Sequence, residues 1–130
     1  MNEAARVQFK QRVDAIEEAY EYCLAYAAQG HEAEIEEAEG IRHFLQQMDR
    51  ALVGLSASAA ACVADENGAT PQVWKEFLAL LDKDSSKALA AVRLAIAQAS
   101  ISSQLIDNLN ASLHVRTLLT DLFLVDEAMS

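Results

Sequence analysis

Proline and glycine are scarce in this chain. One Pro and 4 Gly in 130 residues are too few turn-formers for an all-β protein, which needs a break about every 8–12 residues. Cysteine is scarce too: two residues make no disulfide framework. No run approaches the ~18 consecutive apolar residues of a membrane-spanning helix. The opening Met1-Asn2-Glu3-Ala4-Ala5-Arg6 lacks the basic start and apolar run of a secretory signal. Basic side chains are the minority, with 10 Lys and Arg against 20 Asp and Glu, for a net charge of −10. A field of that sign repels phosphate and anionic lipid. Nucleic acid and acidic membranes are therefore excluded as partners, and a basic protein is favoured. The same charge also serves to keep a small domain in solution. A cytoplasmic location is the default expectation.

Against these absences stands a 52% hydrophobic content, enough for one core in one domain over residues 1–130. Ala, Leu, Glu and Gln dominate long stretches, and all are strong helix formers. The first helix is expected from Glu3 to Gln29. Phe9, Val13, Ile16, Tyr20, Cys23 and Ala27 step by four and three along one stripe, and Gly30 reads as the stop. Residues 31–40 form an acidic connector. Ile41, Leu45, Met48, Leu52, Leu55, Ala59 and Cys62 then make a heptad seam in a second helix that ends at Asp65-Glu66-Asn67-Gly68. Thr70-Pro71 opens a third helix, as cap and first-turn residue. Asp82-Lys83-Asp84-Ser85-Ser86 offers a kink or break within it. A fourth helix is expected over Ser103–Met129, with one continuous helix from Ser85 onward as the alternative. Short connections make sequential neighbours antiparallel. The expected fold is all-α: an up-down-up-down antiparallel four-helix bundle, kinked or not in its third helix.

Bundles often house metal, so the histidines are tested first. A carboxylate-bridged di-iron site needs Glu three residues before His on two helices. Ala28, Gly40 and Ala111 occupy those places before His31, His43 and His114. Covalent haem needs Cys-x-x-Cys-His, which is absent. No cofactor and no metal is expected. Glu39 and His43 stand four apart, where a helix would make them a surface pair. If the first two helices fold back near residues 32–34, Cys23 approaches His43, and a thiolate beside an imidazole is a nucleophile. Cys23 lies in an apolar seam, however, where a thiol is a small inert hydrophobe. The same fold-back places Cys62 far from Cys23, so no bridge is expected.

The segment Leu118-Leu119-Thr120-Asp121-Leu122-Phe123-Leu124-Val125 is apolar on more than one helical face. Such a helix is either central in the fold or covered by another chain. The leading expectation is a non-enzymatic protein–protein interaction module: an adaptor, a small chaperone or an inhibitor. It would form a homodimer or bind another, basic protein, with Leu118, Leu122, Phe123 and Val125 as interaction residues. Two alternatives stand beside it. One is an enzyme or metal protein with its site near Cys23 and His43, supported by Glu39 and His114. The other is a carrier of an apolar ligand between the helices.

Overall fold

The structure, a computed structural model, describes residues 2–130. Those residues are all-helical, without a strand. Six helices form: α1 (Glu3–Ala28), α2 (Ile41–Leu52), α3 (Leu55–Val63), α4 (Gln72–Ile96), α5 (Ser103–Ala111) and α6 (His114–Met129). The expectation of four helices is corrected to six, because the second and fourth are each divided.

The first division falls at Val53-Gly54. Val53 is extended and Gly54 sits at φ +79°, in the left-handed region that glycine enters without steric cost. Breaking a helix frees carbonyl groups that need donors. Arg12 of α1 supplies them, donating through Nη1 to the carbonyl oxygens of Ala51 and Val53. The apolar seam runs on across the break. Ile41, Leu45, Met48, Leu52, Leu55, Ala59 and Cys62 are all buried.

The second division falls at Ser112-Leu113. Leu113, at φ +65°, is the single non-glycine residue with positive φ among the described residues. Ser112 Oγ donates back to the carbonyl oxygen of Leu109 and helps end α5. Of the kink or break offered at 82–86, the break is absent: α4 is continuous from Gln72 to Ile96. Its buried stripe Leu81, Ser85, Ala88, Val92 and Ala95 steps by four and three, so these residues read as helix once packed. The continuous helix from Ser85 onward does not form either. Ile96 ends α4, and Ser102 caps α5 by accepting the Leu105 N–H.

Residues on either side of each turn show how the helices run. Tyr22 stacks on Phe44, with ring centroids 4.3 Å apart, while Arg12 reaches Ala51. Tyr26 reaches Ile101 at one end of α1 and Arg6 reaches Met129 at the other. Arg93 pairs with Asp49, and Asp82 accepts from Ser56. So α1 is antiparallel both to the α2–α3 leg and to the α5–α6 leg, and α4 is antiparallel to α2–α3. α4 also packs on α6, opposite α1, and closes the core. Ile16, Leu45, Met48, Leu81, Val92, Ile106, Leu118 and Leu122 fill the centre, each fully buried. Each such side chain stabilises the fold by about 1.5–3 kcal/mol relative to exposure.

Candidate interaction face

The residues of the candidate nucleophilic pair stand on α1 and α2. Cys23 is fully buried on α1, and His43 is half-buried, edge-on to Phe44. No hydrogen bond joins the two. Burial pushes the Cys23 thiol up to about 12, the reverse of what a nucleophilic thiol needs. Cys62 is also buried and free; burial raises it, with Arg6 opposing. Glu39 and His43 do not share a helix, because Gly40 caps α2 and leaves Glu39 in the preceding turn. His114 opens α6 and is exposed. Among the described residues, no group of three or more His, Cys, Asp or Glu is placed to hold a metal ion. No helix of the described chain is long and apolar enough to cross a membrane.

The four C-terminal residues singled out from the sequence separate into two sets. Leu118, Leu122 and Val125 face inward and are buried in the chain's own core. Phe123 is 51% exposed, and Leu124 beside it is 57% exposed. The all-round apolar character of α6 thus has two causes. One stripe fills the core, and the exposed Phe123 and Leu124 flank it, Phe123 beside Tyr20 and Leu24 of α1 and Leu124 beside α4.

The Leu124 side has a counterpart on α4. Val73 is 70% exposed and Leu80 45%. Together with Phe77 they step by four and three along α4, in line with Asp84. Asp121, Leu124 and Ala128 step by three and four along α6. Between the two stripes lies an open groove of about 300 Å³ lined by Val73, Trp74, Phe77, Leu124, Val125 and Ala128. One turn beyond Leu124, Asp121 meets Asp84 across the helix–helix contact. Burial, the hydrogen bond with Asp84 and the charge of Asp84 raise the Asp121 carboxyl to about 7. One oxygen of Asp121 is buried without a partner. Neither carboxylate takes part in any of the three ion pairs among the described residues.

Val73, Leu80, Leu124 and the aspartate pair escape a reading by seams, which seeks one stripe per helix. The signal that points to them is the excess of apolar residues over one stripe. The first half of α4 and the second half of α6 both carry it. Comparison with protein-family models, with characterised proteins and with solved structures gives no match.

Proposed function

We propose that the chain is a non-enzymatic protein–protein interaction module that works through the α4–α6 face. The observation that carries this reading is the exposed apolar groove between Val73 and Leu124. Contiguous exposed apolar surface is where partners and ligands bind, whereas single exposed apolar side chains are ordinary. The acidic charge steers the module toward a basic protein, raising the rate of encounter. A cytoplasmic setting accords with that role.

A second copy of the chain was the other expected partner. Its support came from the apolar C-terminal segment, and three of the four residues in that argument are consumed inside the chain. The apolar-ligand carrier is a poorer fit, because the apolar groove between α4 and α6 is open to solvent rather than enclosed within the bundle. An enzymatic site at Cys23 and His43 is opposed by the burial that keeps the thiol protonated.

Affinity capture from the native host tests the proposal, with the double variant V73D/L124D as the comparison. Both positions are exposed, so circular dichroism should be unchanged. A protein retained by the native chain and lost by the variant supports this face as the interaction surface. The same proteins captured by both would overturn it.

A further inference from the structure

Beyond the groove, along both of its helices, stand two carboxylates that pair with no cation of the described residues. Asp84 and Asp121 stand on the two helices that form the groove, in line with its apolar stripes. No Lys or Arg pairs with either, although α4 itself carries Lys83 and Lys87. Two adjoining carboxylates repel, and a partly buried carboxylate oxygen without a donor is costly. An incoming cation would relieve the repulsion between the two carboxylates. Charge-assisted hydrogen bonds to carboxylates are about twice as strong as neutral ones.

The spacing also states the shape of the partner. Val73 and Phe77 facing Leu124 and Ala128 make a trough between two antiparallel helices. A third helix seats in such a trough with apolar residues at i, i+3 or i+4, and i+7. A second copy fits poorly here. A two-fold contact through this face sets the same surface against itself. That surface is acidic, and two molecules each carrying −10 repel.

Resting on the interaction reading above, we infer that the α4–α6 groove receives an amphipathic helix of a partner protein, apolar toward Val73, Phe77 and Leu124, with one Lys or Arg placed on the Asp84–Asp121 pair. The apolar trough provides area, and the aspartate pair fixes register and selects the partner, because a helix seated one turn out of place leaves its cation unmatched.

Trp74 is the chain's single tryptophan and lines the groove, so its fluorescence reports occupancy directly. The probes are two synthetic helical peptides of identical composition and net charge. Each carries leucines at i, i+3 and i+7 and one Arg. In the first peptide the Arg lies one turn beyond the last leucine on the apolar face; in the second it lies on the opposite face. Both are titrated at physiological salt, so that unspecific attraction to an acidic protein is screened and equal for the two. The expected result is at least tenfold tighter binding of the first, seen as a blue shift of Trp74 emission. In Asp84→Asn and in Asp121→Asn the two peptides should differ by less than threefold. Equal affinity of the two for the native chain would overturn the cation's role and leave apolar docking standing. No change in Trp74 emission with either would overturn the groove as a helix dock. The broader interaction reading is judged separately by the variant-sensitive capture described above.

Discussion

Arg42 Nη2 lies 2.8 Å from Glu34 Oε1, and the same guanidinium donates to the carbonyl oxygens of Ile96 and Gln98. Glu34 in turn accepts the Ile101 N–H and donates its own N–H to Ser100 Oγ. This clasp joins the acidic connector before α2 to the turn between α4 and α5. Its neighbours extend it. Ser103 Oγ donates to the Tyr26 carbonyl and accepts the His31 N–H, and the Tyr26 hydroxyl donates to the Ile101 carbonyl. The connector therefore needs no helix to be ordered.

The clasp makes stability depend on pH. The Arg42 hydrogen bond holds the Glu34 carboxyl below the usual glutamate range, against the opposing effect of burial and with help from the Ile101 N–H. A lowered carboxyl stabilises the fold above its unfolded value and loses that contribution as pH falls through the folded one. Arg42→Ala should cost about 1–3 kcal/mol at pH 7. The gap from the native chain should narrow below about pH 4. Urea unfolding at both pH values checks it; a gap that does not change with pH would show that the ion pair does not carry the loss.

How much of this was legible in the sequence depends on what each feature rests on. The helical class and the seam through Leu45, Met48 and Leu52 follow from spacing, which is local. At Leu113 the buried stripe is interrupted, since no residue between Leu109 and Val115 is buried, whereas the division at Gly54 does not show in spacing, because the buried stripe continues across it. Gly54 is the one local sign, and its break is completed by Arg12, which lies 39 residues before Ala51 in the sequence. The Glu34–Arg42 clasp is invisible for the same reason: its acceptors are main-chain carbonyls of a distant turn. The exposed stripe of Val73 and Leu124 was hidden by a different ambiguity. An all-round apolar segment does not say which face the core takes.

Asp121 gives the opposite pH dependence to Glu34. Its carboxyl is raised to about 7 by burial and by Asp84. A raised group stabilises the fold fully below its unfolded value and loses that contribution as pH rises through the folded one. Asp121→Asn, neutral at every pH, should therefore match the native chain near pH 4. It should exceed it in stability at pH 8, by about 1 kcal/mol once solvent screening of this partly exposed pair is allowed for. Thermal unfolding at the two pH values reads the difference. A variant less stable than the native chain at pH 8 would show that the pair is held by interactions other than the shared proton.

Both thiols should be inert in the folded chain. Cys23 has its thiol pushed up to about 12 by burial, and Cys62 is equally enclosed. Thiolate is the reactive form, and neither access nor ionisation supplies it here. An aromatic disulfide reagent at pH 8 should label neither cysteine within minutes, and both on addition of denaturant. Rapid labelling of Cys23 in the native state would revive the enzymatic alternative at Cys23 and His43.

The turn between α5 and α6 offers a stabilising substitution. Leu113 holds φ +65°, where a Cβ crowds the following carbonyl at a cost of roughly 1–2 kcal/mol. Its side chain is half exposed, so little packing is lost on removing it. Glycine relieves the clash but loses more chain entropy on folding, which offsets about 0.5–1 kcal/mol. Leu113→Gly should therefore leave the chain more stable, by up to about 1 kcal/mol. Leu113→Val should act the other way, since a β-branched residue is a strained occupant of the left-handed region. Chemical denaturation of the two variants beside the native chain gives the order Gly, Leu, Val if the left-handed turn divides the last leg of the fold. The reverse order would mean that α5 and α6 join as one helix in solution, where glycine weakens the chain and valine is tolerated.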